Sequence, residues 1–239
     1  MKIIQIDPAQ YANIVFFTGA GMSAECGVPT YRGSGGIWDK YNWEEVACQN
    51  AFDSNPQKVL DFHELRQSLL FNCYPHAGHR VLAALEQKHS GITIVTQNID
   101  GMHQRAGSVN VIELHGSLWR LRCQLDGRIV SDTNAKFKKR KCECGAWLRP
   151  DIIWFGDPLD SGIMNRAHTI IEKADLFISI GTSGMVWPAA GFPKIAADKG
   201  AKIIEINPDA IDRSKYQHTV YPDKAGTLIP KLFPNFNTN

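Results

Sequence analysis

Long apolar runs are missing from this sequence. No stretch approaches the roughly 20 consecutive apolar residues that a membrane-spanning helix needs, and the opening segment MKIIQIDPAQ has no extended apolar core of the secretory type. An excess of charge is missing too: the formal net charge is +2, too small to argue for a nucleic-acid partner. The one dense basic run, KFKKRK at 136–141, adjoins cysteines and reads as the exposed edge of a small, loop-rich module. Internal repeats and low-complexity tracts are absent as well. These absences point to a cytoplasmic protein that engages neither membrane nor nucleic acid. Six cysteines in that reducing compartment suggest metal before disulfides. A monomer is expected, with no regulatory extension at either end.

What is present is a chain of 239 residues, 44% apolar and 21% charged, enough for one sizeable core plus a small inserted module. Five short runs rich in β-branched residues read as buried strands: 13–18, 92–97, 111–115, 176–182 and 202–207. Helical patterns at 57–71, 76–89, 164–174 and 191–200 separate many of them. This alternation predicts an α/β fold, a Rossmann-like parallel sheet with helices on both faces. Two stretches break the rhythm. Residues 119–150 hold Cys123, Cys142 and Cys144 but little apolar material, which predicts a zinc-ribbon-like module stabilised by metal. Residues 27–55 read as a glycine- and aromatic-rich loop suited to closing over a ligand. The expected division is a large part over about 1–30, 76–118 and 151–239, and a small module with a helical part over about 31–75 and the ribbon-like part over 119–150.

Chemistry gathers at the predicted strand ends, where ligands bind in open parallel sheets. The first strand runs into TGAGMSAEC, in which Gly19, Gly21 and Ala24 match a dinucleotide fingerprint that lets backbone approach a pyrophosphate. The acid expected about 20 residues further on is missing, because Asp39 lies in the glycine-rich loop; an ordinary dehydrogenase is therefore disfavoured. Other strands end in Gln97, Asn98 and Asp100, in Gly181-Thr182-Ser183 and in Asn207-Pro208-Asp209. Such ends form a polar crevice suited to ribose and phosphate. His115 closes another strand, where a neutral imidazole can accept a proton. On the predicted helix DFHELRQSLL, Phe62, Leu65 and Leu69 form the apolar spacing, with His63 and Arg66 side by side.

Taken in order, GAGMSAECGVPTYRG, TQNIDGMH, ELHG, CECGAWLRPDIIWFGD and IGTSGMVWPAAG resemble the sirtuins, the NAD-dependent protein lysine deacylases, over about 15–210. YRGSGGIW and DFHELR make the resemblance nearest to bacterial deacylases and the desuccinylase branch. The resemblance implies that Gly19, Ala20 and Gly21 wrap the NAD pyrophosphate. Arg32, Gln97, Asn98 and Asp100 would surround nicotinamide, its ribose and the phosphates. Gly181 to Ser183 and Asn207 to Asp209 would hold adenosine, with Ala225 a further cofactor contact. Asn98 and His115 carry the catalytic assignment, His115 as the base that lets a ribose hydroxyl attack the acyl group, so that O-acyl-ADP-ribose and nicotinamide are released. Phe155, Gly156, Met185 and Val186 would flank an extended acyl-lysine peptide, and Asp157 stands where family members usually have Glu. Zinc is implied at Cys123, Cys142 and Cys144; the usual two CxxC pairs are incomplete, and Asp126 is either a fourth ligand or a turn residue. In the desuccinylase branch a tyrosine and an arginine bind the acyl carboxylate; Arg66 matches the arginine and His63 replaces the tyrosine. Two other readings stand beside deacylation: transfer of ADP-ribose to protein or plain NAD cleavage, and a non-catalytic binding module.

Overall fold

The computed structural model of the chain describes residues 3–30, 36–209 and 218–236. Its strands are β1 (Ile14–Thr18), β2 (Ile92–Thr96), β3 (Val111–Glu113), β4 (Gly116–Cys123), β5 (Ile129–Ser131), β6 (Leu148–Ile152), β7 (Leu176–Ile180), β8 (Lys202–Ile206) and β9 (His218–Tyr221). Six of them pair in parallel in the order β3-β2-β1-β7-β8-β9. Alternation along β1 explains the helices on both faces. Ile14 and Phe16 join an apolar cluster with Leu82 and Leu85 of helix Ala77–Lys88 and Leu228 and Ile229 of helix Ala225–Leu232. Val15 and Phe17 point the other way, to Ile171 of helix Ser161–Glu172 and Phe192 and Ala196 of helix Phe192–Asp198. Each such phenylalanine contributes about 3 kcal/mol by leaving water.

The five predicted runs supply five of these six strands. The sixth, β9, reads HTVY with only Tyr221 buried, so its edge position leaves too weak an apolar pattern to stand out. Strand order reverses at β1. From β1 the chain builds outward through β2 and β3, leaves the sheet, and returns at β7 on the other side of β1. The carboxyl ends of β1, β2 and β7 therefore frame a crevice, the usual ligand position in such sheets.

Between β3 and β7 the chain forms a second, antiparallel sheet in the order β5-β4-β6. β4 starts directly after His115 and ends at Cys123, so one strand runs from the crevice to the cysteine cluster. The little apolar material expected of this module is completed from outside it: Leu118, Leu121, Leu148 and Ile152 pack with Val59 and Leu60 of helix Pro56–Phe71. The module borrows its core from a segment some 60 residues earlier in sequence, out of reach of any local pattern.

That helix also corrects its predicted face. Leu65 and Leu69 are 46% and 50% exposed, whereas His63 and Gln67 are fully buried. The polar pair is tolerated inside because each finds a partner: Gln67 Nε2 donates to the Asp132 carbonyl at 2.8 Å, and His63 accepts from Trp154. The basic run is fastened to the same helix. Arg140 pairs with Asp61 at 2.6 Å and Glu64 at 3.3 Å, and Phe137 is buried. The 27–55 stretch is more structured than expected, with short helices Ile37–Lys40, Trp43–Val46 and Gln49–Ser54. Residues 31–35, and Arg32 with them, lie outside the described residues.

Candidate functional site

The strand ends open on a cavity of about 640 Å³. Gly19, Ala20 and Gly21 line it after β1, Gln97 and Asn98 after β2, His115 after β3, Gly181, Thr182 and Ser183 after β7, and Asn207 and Asp209 after β8. The facing wall carries His63 and Arg66 from helix Pro56–Phe71, and Trp154, Phe155, Gly156, Met185 and Val186 from two loops. Asp100 lines a side pocket of about 20 Å³ with Ala20, Arg66 and Asn98. Three expected cofactor residues are not among those lining the cavity. Helix Ala20–Ser23 is a single turn, so Ala24 falls beyond it and is exposed; Pro208 is exposed, away from the cavity lining; Ala225 is buried in the core beneath the sheet.

The glycines have a packing reason that phosphate approach alone does not supply. A Cβ on Gly19 would meet the Gly181 carbonyl oxygen at 2.8 Å, and one on Gly21 would meet the Gly181 Cα at 2.7 Å. Gly181 has a φ of +59°, and its own Cβ would fall 2.4 Å from the Met22 nitrogen. The turns after β1 and β7 are thus interlocked, backbone on backbone.

A buried polar chain supports these turns, and the sequence pattern did not single it out. Thr18 and Thr96 end neighbouring strands in register, and Thr18 Oγ1 donates to Thr96 Oγ1 at 2.8 Å. His103 Nε2 lies 3.0 Å from Thr18 Oγ1; since the threonine proton is committed, this nitrogen is the donor. Thr96 Oγ1 accepts the Asn98 amide at 3.0 Å, while Asn98 Nδ2 donates to the Gly19 carbonyl at 2.9 Å and to Ser23 Oγ at 3.3 Å. Asn98 is thereby fixed with its Oδ1 as the remaining acceptor. Burial pushes the Asp100 carboxyl up, opposed by the Met102 amide and Ser23. Burial likewise pushes His103 down to about 3, so its imidazole is uncharged. The readable signal was the pair of threonines ending adjacent parallel strands.

His115 sits where a base needs to be. Its Nδ1 is 2.9 Å from the Gln97 carbonyl, which makes Nδ1 the protonated nitrogen and leaves the Nε2 lone pair on the cavity wall. Burial holds its pKa below the usual 6.5, although the Gln97 bond opposes the shift.

The facing wall is held by side chains instead. Trp154 Nε1 donates to His63 Nε2 at 3.1 Å, and the two rings stack with centroids 5.7 Å apart. The His63 proton must then be on Nδ1, which is buried; the Val46 carbonyl favours it without an aligned hydrogen bond. Burial first, and Arg66 and Arg149 after it, push His63 well below 6.5. His63 thus lines the cavity with Nε2 already accepting from Trp154, which leaves its Nδ1 proton, buried and without an aligned partner, as its one donor. Arg66 remains, half-buried, its guanidinium 5.8 Å from the Phe62 ring centroid. Behind Trp154, Arg149 donates to Asp157 at 2.5 Å and to the Ile152 carbonyl at 3.0 Å, and covers the indole at 3.6 Å. Asp157 thus faces inward and holds the loop. Phe155, Met185 and Trp187 are exposed at the rim, Trp187 at 76%.

Cys123, Asp126, Cys142 and Cys144 bring one ligand atom each within 4.8 Å of the others. The Cys123 and Cys144 sulfurs are 3.6 Å apart, close to the edge of about 3.7 Å that a tetrahedral zinc with ~2.3 Å bonds to sulfur requires. Asp126 Oδ1 accepts the Arg128 amide at 2.9 Å as in a turn, and its carboxylate also lies within reach of the thiols.

A Sir2 family model matches residues 19–188. An NAD-dependent protein deacylase of Aquifex aeolicus (strain VF5) is 42% identical over 224 residues, covering 92% of this chain and 94% of the relative. Among solved structures, a Sir2 homolog–NAD complex superposes with a TM-score of 0.86 at 39% identity, covering 95% and 90% of the two chains. A Sir2 variant with deacetylated p53 peptide and 3′-O-acetyl ADP ribose gives 0.83 at 29% identity, covering 95% and 94%. With this fold, this cavity and these likenesses, the chain belongs to the Sir2 family.

Proposed function

We propose that this protein is an NAD-dependent protein lysine deacylase whose acyl channel accepts acidic acyl groups through Arg66. The observation that carries the reading is His115: a neutral imidazole, oriented by the Gln97 carbonyl, on a cavity shared with Asn98 and the turns after β1, β7 and β8. NAD supplies a sugar carbon from which nicotinamide can depart. The chain's residues do the rest. Asn98, fixed through Gly19 and Ser23, presents an acceptor where the nicotinamide half would lie, and Asp100 stands in the side pocket beside it. The acyl carbonyl oxygen displaces nicotinamide on that sugar carbon, and His115 Nε2 takes a ribose hydroxyl proton so that the hydroxyl oxygen bonds the acyl carbon. Water then adds, the acyl C–N bond breaks, and the lysine amine leaves with O-acyl-ADP-ribose as the other product. The aromatic wall and Trp38 exclude water while this happens. Phe155, Gly156, Met185 and Val186 flank an extended acyl-lysine peptide in the same cavity.

Arg66 borders both the cavity and the side pocket. A guanidinium held in an apolar channel binds a carboxylate in a bidentate fork far better than at a surface. Neutral His63 supports the wall without competing for that anion. A structural zinc held by Cys123, Cys142, Cys144 and Asp126 would fasten the antiparallel sheet that leads to His115. No helix among the described residues is long and apolar enough to cross a membrane. The proposed setting is a cytoplasmic monomer acting on proteins or peptides. The proposed division is a large NAD-binding part over about 1–30, 76–118 and 151–239 and a small module over about 31–75 and 119–150.

The test is nicotinamide release and peptide mass, followed together on one lysine peptide carrying acetyl, succinyl or glutaryl groups. One nicotinamide per acyl group lost supports deacylation, and faster succinyl or glutaryl turnover supports the Arg66 role. Nicotinamide release without peptide, or a gain of ADP-ribose mass on protein, would favour the transferase or NAD-cleaving alternative.

A further inference from the structure

Behind the strand-end turns, three side chains of metal-ligating type meet without a role in the chemistry above. Cys26 closes the short turn Ala24–Cys26 that follows helix Ala20–Ser23. His76 caps the start of helix Ala77–Lys88, and His79 lies one turn on, i+3 from it, on the same face. One ligand atom from each falls within 4.8 Å of the others.

The tautomers are already those that a metal needs. His76 Nε2 lies 2.7 Å from the Met22 carbonyl, so Nε2 carries the proton and Nδ1 the lone pair. A ligating histidine characteristically donates its other nitrogen to a backbone carbonyl in this way. That Nδ1 accepts only the Gly78 amide at 3.0 Å. His79 is fully buried, its Nδ1 3.9 Å from Cys26 Sγ, against roughly 3.6 Å between sulfur and nitrogen on one tetrahedral zinc. Its Nε2 is buried without a hydrogen-bond partner, as is Nδ1 of His103, whose ring is 5.0 Å away. His103 Nε2 is the donor to Thr18, so its Nδ1 can only accept. A metal on His79 Nδ1 would fix the proton on Nε2, the form suited to that acceptor.

We propose that Cys26, His76 and His79 form a zinc site, separate from the cysteine cluster, that joins the turn after β1 to helix Ala77–Lys88. One thiolate and two imidazoles are the borderline-soft set that zinc accepts, with water in the fourth position. Cys26 and His76 are half-exposed, which gives the ion a way in and room for that water. Binding requires the Gly78 amide to give up its acceptor and the thiol to release its proton. The His76 bond to Met22 survives, and Met22 precedes Ser23, the partner of Asn98. The ion would therefore sit one residue from the group that fixes Asn98, and brace it.

The probe is zinc alone, offered to full-length protein stripped by chelator and then dialysed. Elemental analysis should find one zinc fewer per chain in Cys26→Ala and in His76→Asn than in the wild type. Adding Cys142→Ser should remove the cluster's own zinc independently. In the wild type, zinc should slow alkylation of Cys26 at least tenfold by peptide mapping while leaving Cys48 unchanged, a readout that stands even if a variant misfolds. Equal zinc content in wild type and both variants, or Cys26 alkylation indifferent to zinc, would overturn the site.

Discussion

The cavity has two walls built on different principles. The strand-end wall is fixed by backbone: Gly19, Gly21 and Gly181 interlock, His115 is oriented by a carbonyl, and Asn98 is held by another. The facing wall is fixed by side chains reaching across the sequence, with His63 held by Trp154 and Trp154 covered by Arg149. Backbone fixing leaves few ways to relax, so changes there should be nearly all-or-none. Side-chain fixing can be repacked, so changes there should shift which acyl group is preferred.

The sharpest break in the first wall is His115→Ala or His115→Tyr. Losing a positioned base costs about 10²–10⁴-fold in rate, and we expect the upper part of that range, with peptide binding largely retained. Because burial lowers the His115 pKa, the base stays competent below pH 6.5, and the acid limb of the wild-type rate profile should fall below that value. Near-normal turnover in either variant would remove His115 from the mechanism. Next in size is Gly181→Ala. A positive φ and a Cβ 2.4 Å from backbone should cost about 3 kcal/mol, or roughly 6–12 °C in Tm for a chain of this size. An unchanged melting temperature would mean that the two turns are not interlocked.

On the second wall, Arg66→Met should lower succinyl and glutaryl turnover about a hundredfold, about 2.7 kcal/mol, and acetyl turnover much less. Equal losses on both kinds of acyl group would place Arg66 in the shared nicotinamide side of the cavity, beside Asp100, and remove it from the acyl channel.

The same contrast explains what could be read in the sequence. β1, β2, β7 and β8 were legible because buried parallel strands are continuous apolar runs, and Gln97, Asn98, His115 and Gly181 were legible because each lies within two residues of the end of a strand of that sheet. Ala24 and Ala225 are absent from the cavity lining for the opposite reason: a motif position gives spacing, whereas a one-turn helix and a core-facing side chain decide direction. His63 was placed correctly on its helix, yet its partner Trp154 is 91 residues away, and no local pattern announces that bond. Leu65 and Leu69 pointed to the wrong face because burial here follows hydrogen-bond partners as well as hydrophobicity. The core shared by helix Pro56–Phe71 and the ribbon-like sheet stayed hidden for the same non-local reason.

The smallest expected effect separates the two walls by protons. His63, on the facing wall, and His79 and His103, behind the strand ends, are all buried with pKa values pushed down by desolvation before any other cause. Above about pH 6.5 each is neutral in both folded and unfolded chains and adds no pH dependence. Below it, the unfolded chain binds protons that the folded chain refuses, so stability falls as pH falls, by about 1.4 kcal/mol per pH unit for each histidine. Urea unfolding of the wild type between pH 6 and 5 should show this decline. His63→Phe should start lower at pH 7, by about 1–3 kcal/mol, because the Trp154 N–H loses its acceptor. Its decline should nevertheless be shallower by one proton, since the other buried histidines, His76, His79, His103 and His115, keep their contributions. An unchanged slope would mean that His63 takes up its proton in the folded state. The Trp154 bond would then not be what holds this wall, and a charged His63 beside Arg66 would return as the second half of a carboxylate clamp.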